Sequence, residues 1–287
     1  AFGNAGQKCS ACSLLLVERS VYEDKNFQDK LKDAATSMKV GSVWNPGNVV
    51  GPMITNENDK LYKALELEPG ESWLVPPRFI DKKKYILAPT VKWGVTPKSY
   101  SFGTEIFAPV LSVVCFDNLQ EAIRSINNLE YGLTSGLQSL DENEQALWKN
   151  TMCAGNLYIN RGITGAIVNR QPFGGMKFSA IGGGLKAGGP NYCSSFVKIT
   201  DKPDSNTDYR KSYAEAFAKE FAHARDINNL YGEQNVLRYL PVERMVLRLF
   251  PGDSNEEAKM IAFAAQTCHT PLVISFGEDD DRTAALA

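Results

Sequence analysis

A seven-residue run without a charge, Val110–Phe116 (VLSVVCF), constrains the fold of this chain more than any other feature. A strand with one wet face alternates apolar and polar residues. This run does not, so it reads as a strand buried on both sides, as inner strands of a parallel sheet are. Its neighbours fit that sheet. Asn118 opens a helix over about 119–128, residues 140–150 read as a helix with Asp141 as its N-cap, and 155–160 as a short strand. Upstream, 84–93 reads as a strand broken by Pro89. Helical patterns cover 9–23, 26–38 and 55–67, and a Gly/Pro-rich loop covers 41–52. Strands separated by helices of this length imply an α/β fold, with a mostly parallel sheet covered by helices.

Between 162 and 190 the character changes, with nine glycines in 29 residues, which marks an ordered loop system where backbone approaches something closely. Residues 196–199 (FVKI) suggest a short edge strand, and 202–207 (KPDSNT) a linker. The helix expected over 208–229 spaces Tyr209, Tyr213, Phe217 and Phe221 by four, which is the pattern of a docking face. The tail then reads strand (245–250), helix (254–266), strand (272–276). One such βαβ unit is too small to bury a core alone, so it has to pack on something else.

The 287 residues carry 31 Lys and Arg against 33 Asp and Glu. A net charge of −2 gives no bulk attraction to nucleic acid or an anionic membrane. No stretch approaches the roughly 18 uninterrupted apolar residues of a membrane helix. Six scattered cysteines are too few for a disulfide scaffold, and neither His223 nor His269 stands at metal-ligand spacing from a cysteine, so no metal site is expected. Free thiols point to a reducing, cytoplasmic setting.

Cys9 is the first candidate for chemistry. At the N-terminus of the helix expected over 9–23, free N–H groups and the helix dipole would favour its thiolate, with Lys8 adding positive charge. The residues around it narrow the reading. Phe2-Gly3-Asn4-Ala5-Gly6-Gln7-Lys8-Cys9 resembles the active-site cysteine motif of the aldehyde dehydrogenase superfamily. Two segments resemble later motifs of that family in the same order: Glu105-Ile106-Phe107-Ala108-Pro109 the E-x-F-x-P segment, and Pro172-Phe173-Gly174-Gly175 the segment near the substrate entrance. Ser10-Ala11 after the cysteine, Thr164-Gly165-Ala166-Ile167-Val168, and Leu185-Lys186-Ala187-Gly188-Gly189-Pro190 are similar to 1-pyrroline-5-carboxylate dehydrogenases, especially those fused to proline dehydrogenase in bacterial bifunctional proteins. Gly232-Glu233-Gln234-Asn235 to Pro241 resembles the region that follows the dehydrogenase module there.

The resemblance implies a three-layer αβα catalytic domain over 1–201, and a linker, helix and partial αβ extension over 202–287. It implies NAD-dependent oxidation of glutamate γ-semialdehyde to glutamate in proline catabolism. Cys9 would form the thiohemiacetal and then the thioester. Glu105 would bind the nicotinamide ribose and Phe107 pack beside the nicotinamide ring. Ser10, with the backbone of Gly165 and Ala166, would hold the substrate's α-carboxylate, and Phe173 would cover its aliphatic part. Each has a plainer reading: a surface carboxylate for Glu105, core for Phe107, a tight turn at Gly165 and Ala166, simple packing for Phe173.

In that family the nucleotide-binding half, the general-base Glu and the oxyanion-hole Asn precede the cysteine. The expectation is therefore a C-terminal portion, inactive alone, that binds no cofactor tightly. FAD would enter only with a preceding proline dehydrogenase module. A homo-oligomer is expected, and the alternatives are an assembly module or a dehydrogenase for another acidic aldehyde.

Overall fold

The structure, a computed structural model, describes residues 1–55, 58–168, 170–182, 184–198, 200 and 208–277. The chain divides into two compact units, one of Ala1–Ala166 with Phe173–Ala187, the other of Ile167–Pro172 with Gly188–Ala287.

The first unit contains, in chain order, β1 (Leu14–Glu18), α1 (Lys25–Thr36), α2 (Asp59–Ala64), β2 (Ser72–Val75), β3 (Thr90–Val95), β4 (Val110–Phe116), α3 (Leu119–Asn127), β5 (Thr134–Leu137), α4 (Glu142–Thr151) and β6 (Asn156–Ile159). Four of these strands form one sheet in the order β1-β4-β3-β2. β4 runs parallel to both β1 and β3, whereas β2 closes the edge antiparallel to β3. The uncharged run Val110–Phe116 is thus an inner strand, with Val113 wholly buried and Leu111 and Val114 nearly so. A second parallel pair, β5 with β6, carries α3 and α4, whose packing centres on the buried Trp148. Asn118 and Asp141 cap these helices as expected, accepting from the N–H of Glu121 (2.9 Å) and Asn143 (2.7 Å).

The helix expected over 9–23 is not formed. Leu14–Glu18 is a strand, and only Arg19–Glu23 is helical. Leucine favours helices, but Leu14, Leu15 and Leu16 are consecutive, so no helical face could bury all three. As β1 they are inserted beside β4, with Leu14 opposite Ser112 and Glu18 opposite Phe116. Tertiary pairing overrides local propensity here. The 55–67 helix shrinks to Asp59–Ala64, and 41–52 is irregular as expected, tied by one bridge between Val40 and Val50.

Among the described residues, one ion pair of this unit is fully buried. Lys92 of β3 and Glu71 meet at 2.9 Å with both side chains 1% exposed. Lys92 also donates to the Glu66 carbonyl at 2.6 Å, and Glu71 accepts from the Glu68 N–H at 2.9 Å, so the pair pins the turn that enters β2. Burial pushes the Glu71 carboxyl up, but the Glu68 N–H and the Lys92 ammonium outweigh it, and its pKa lies below the ordinary carboxylate value.

In the second unit, helix α5 (Tyr209–Ala216) runs into a π-helical turn, Phe217–Phe221. β7 (Met245–Arg248), α6 (Asn255–Thr267) and β8 (Leu272–Ser275) form the expected βαβ unit, with β7 and β8 parallel. The aromatic stripe docks as its spacing predicts. Tyr209 and Tyr213 face Phe263 of α6, Phe217 meets His269, and Phe221 meets Tyr239.

Two expectations fail in this unit. The helix ends at Phe221 rather than 229 because the Asp226 carboxylate collects the N–H groups of Asn228, Asn229 and Asn235, which draws the chain into a turn. In place of a strand at 196–199, Tyr192–Phe196 is a 3₁₀ helix in which Ser194 and Ser195 donate back to the carbonyls of Asn191 and Tyr192. Ile199 and the linker expected over 202–207 lie outside the described residues. Among the described residues no helix is long and apolar enough to cross a membrane.

Lys92→Met removes one partner and strands a buried carboxylate, so unfolding in urea is expected to show a loss of about 3–5 kcal/mol. Converting Glu71 to Leu in the same protein recovers part of that loss.

Candidate active site

Cys9 does not begin a helix. It stands in the turn at Lys8–Ser10, closed by the Ala11 N–H on the Lys8 carbonyl at 2.8 Å, so the helix-dipole argument for its thiolate does not apply. Ahead of it, Asn4, Ala5 and Gly6 are consecutively left-handed at φ 55°, 54° and 70°. For Ala5 that conformation costs about 1–2 kcal/mol. It is held because Phe2 and Ala5 are buried in the core and the Asn4 side chain donates to the Gln7 carbonyl at 2.8 Å. Gln7 in turn accepts from the Ile54 N–H at 2.9 Å.

The left-handed turn brings Gly6 onto the segment before β4. A Cβ at Gly6 would run into the Ala108 carbonyl, so only glycine permits this approach. Along that segment Ile106 and Ala108 are buried, while Glu105 and Phe107 point outward. Phe107 has φ 56°, an outlier for a bulky residue, and its ring is 36% exposed. Asn58, the N-cap of α2, donates to the Ile106 carbonyl at 3.3 Å and holds the segment from below. Glu105 has no hydrogen bond or ion pair among the described residues.

Of the residues picked from the sequence, Cys9 and Ser10 therefore lie on one of two segments in backbone contact at Gly6 and Ala108, and Glu105 and Phe107 lie on the other. The Cys9 thiol is exposed, and Ser10 is 3% exposed with its hydroxyl free of hydrogen bonds among the described residues. Cys9 and Cys12 have C-x-x-C spacing, yet both are free thiols in different settings. The Cys12 Sγ donates to the Leu14 carbonyl at 3.1 Å, and burial pushes that thiol's pKa up. Among the described residues no group of three or more His, Cys, Asp or Glu could hold a metal ion.

Gly165, Ala166 and Phe173 belong to the loops beside β5 and β6. No hydrogen bond or ring contact among the described residues joins them to Cys9, Ser10, Glu105 or Phe107. Gly165 is left-handed at φ 83° with open space where a Cβ would stand, and neither its N–H nor that of Ala166 has a partner among the described residues. Phe173 is half-buried and exchanges both backbone hydrogen bonds with Ala187, at 3.0 and 2.9 Å.

The sequence reading missed Lys186. Its Nζ donates to the carbonyls of Gly155 and Gly174, each at 2.6 Å, and reaches Asn156 Oδ1 at 3.5 Å. Burial lowers its pKa to about 8. A lysine surrounded by glycine and without a nearby acid is the one signal the sequence carries for it.

Gly6→Ala is expected to cost about 2 kcal/mol or more in urea unfolding, because it adds left-handed strain to a backbone collision. Lys186 supplies a pH signature. Its folded-state pKa lies below the unfolded value, so between about 8 and 10.5 the folded state binds fewer protons and stability rises with pH. The difference in urea midpoint between the parent and Lys186→Met is expected to shift in the parent's favour from pH 7.5 to pH 10.

Known proteins match this arrangement. The model of the aldehyde dehydrogenase family matches residues 1–201. A 1-pyrroline-5-carboxylate dehydrogenase from Staphylococcus haemolyticus is 35% identical over 200 residues, covering 69% of this chain and 38% of the relative. Among solved structures, proline utilization A from Corynebacterium freiburgense is 38% identical with a TM-score of 0.86, covering 98% of this chain and 30% of that one. A Thermus 1-pyrroline-5-carboxylate dehydrogenase with bound NAD is 33% identical with a TM-score of 0.62, covering 70% of this chain and 38% of that one. The chain thus spans well under half the length of these relatives. With the family model matched from the cysteine turn through the glycine-rich loops, the chain belongs to the aldehyde dehydrogenase family.

Proposed function

We propose that this chain supplies the cysteine-bearing catalytic domain, residues 1–201, of an NAD-dependent dehydrogenase that oxidises glutamate γ-semialdehyde to glutamate. The observation that carries the reading is the meeting of two segments. Exposed Cys9 and exposed Glu105 and Phe107 rise from neighbouring backbones in contact at Gly6 and Ala108. The names of the relatives supply the substrate class.

The side chains present suit one end of a nicotinamide cofactor. A carboxylate with no partner among the described residues can accept from both hydroxyls of a ribose, and the Phe107 ring, held outward by its strained backbone, offers a flat apolar face. When bound, NAD supplies a hydride acceptor. The Cys9 thiolate attacks the aldehyde carbon, forming a C–S bond and placing the charge on the former carbonyl oxygen. After that carbon loses its hydride, a thioester remains on Cys9, and water cleaves it to the carboxylate and the free thiol. The N–H groups of Gly165 and Ala166 and the Ser10 hydroxyl, without partners among the described residues, are donors suited to the substrate's α-carboxylate. Phe173 covers the methylenes between the two ends. Self-association fits the same reading, since Phe178 and Ile181 of the first unit are 71% and 97% exposed.

The test is NAD reduction with glutamate γ-semialdehyde in a form of the enzyme that includes the family's nucleotide-binding half. Cys9→Ala is expected to lower kcat by about 10⁴-fold or more. Ser10→Ala is expected to raise KM for the semialdehyde by about tenfold while leaving KM for an uncharged aldehyde nearly unchanged. Equal effects of Ser10→Ala on both aldehydes would overturn the assignment of the carboxylate site.

A further inference from the structure

The loop that carries Phe173 has almost no regular structure to hold it. Beyond a two-residue antiparallel pairing of Met176–Lys177 with Tyr131–Gly132, its pairing among the described residues is an isolated bridge, Phe173 with Ala187, and an isolated bridge is weak in water. Around that bridge the backbones crowd. A Cβ at Gly155 would collide with the Gly174 carbonyl, so the start of β6 and the Phe173 loop touch backbone to backbone. Both carbonyl oxygens, of Gly155 and Gly174, lie 2.6 Å from the same nitrogen, Lys186 Nζ, so their negative ends converge. Among the described residues neither carbonyl has another donor. Left without the lysine, the two dipoles would repel each other and stand unsatisfied in a half-buried site.

We propose that Lys186 is the positioning residue of the Phe173 loop, clamping the Gly155 and Gly174 carbonyls together and so fixing the backbone from which Phe173 faces the substrate. The inference rests on the reading that Phe173 covers the aliphatic part of the substrate. Lys186 is suited to the role. No acidic side chain pairs with it among the described residues, so its donors are not diverted to a carboxylate. It precedes Ala187, the bridge partner of Phe173, so one side chain and its neighbouring peptide hold both sides of the bridge. Asn156, 9% exposed, completes the cradle by accepting from the Gly174 N–H at 3.1 Å. The far part of the loop is secured separately, by the pairing of Met176–Lys177 with Tyr131–Gly132 and by Lys177 Nζ on the carbonyls of Asn127 (2.7 Å) and Leu129 (2.8 Å) at the end of α3. Loss of Lys186 therefore frees the neighbourhood of Phe173 and not the whole loop.

Amide hydrogen exchange on the 287-residue chain tests this without any turnover, so its outcome is separate from that of the Cys9 and Ser10 assays. In Lys186→Met the amides of Phe173 and Ala187 are expected to exchange about tenfold or more faster, while those of β4 stay within about twofold of the parent. Lys186→Arg, which keeps a charged donor of similar reach, is expected to bring both amides back to within about threefold of the parent. Unchanged exchange at Phe173 and Ala187 in Lys186→Met would overturn the proposal. So would acceleration spread equally over β4, which would make the lysine a support of the whole unit. An Arg variant as open as the Met variant would overturn it as well, by assigning the effect to side-chain shape.

Discussion

Parallel pairing of β1 with β4 is the constraint on which the candidate site depends. Parallel strands begin on the same edge of a sheet, so the segments that lead into them emerge side by side. Cys9 lies on the lead-in to β1, and Glu105 and Phe107 lie on the lead-in to β4. Their meeting thus follows from register, with Leu14 opposite Ser112, and is completed by the glycine contact at Ala108. Open α/β sheets usually bind ligands beyond the carboxyl ends of their strands. Here exposed Cys9 stands before the amino ends, on backbone that the sheet orders without enclosing.

Strain falls on both lead-ins. Ala5 and Phe107 both hold left-handed backbone that their side chains disfavour, one on each of the two lead-ins. Each is over-determined by neighbours: Ala5 by burial and the Asn4 bond, Phe107 by buried Ile106 and Ala108 on either side. The result is an exposed thiol and an exposed ring carried on rigid main chain. In the proposed reading, a thiol that meets a carbonyl carbon at bonding distance gains from such rigidity, because less freedom remains to be lost when the substrate arrives.

The sequence showed much of this fold because several elements are locally self-consistent. Val110–Phe116 is uniformly apolar, Asn118 and Asp141 precede their helices by one residue, and the tail alternates cleanly between strand and helix. It misled where local and tertiary preferences oppose each other. Leu14–Leu16 read as helix until β4 is placed beside them, and the aromatic spacing after Tyr209 continues no further than the turn built on Asp226. Of the site, the motif segments were visible as resemblance, yet the reason they adjoin, glycine at position 6 beneath the Ala108 carbonyl, is a tertiary fact that no periodicity encodes.

Lys186 illustrates the same limit from the other side. Sequence patterns find charged residues through partners of opposite sign at regular spacing, and this lysine has only backbone oxygen as a partner, contributed by residues far apart in the chain. Burying a lysine without a carboxylate costs free energy, which is why its pKa falls, and such a cost persists in a fold only if the arrangement it secures is worth more. The arrangement secured is a glycine-rich loop that could not hold one conformation through side-chain packing, since glycine at 174 and 175 offers none. Glycine lets the backbone come close, and the cost is a loop with little to hold it. A single long side chain that reaches back to satisfy two converging carbonyls restores the rigidity that the glycines give up.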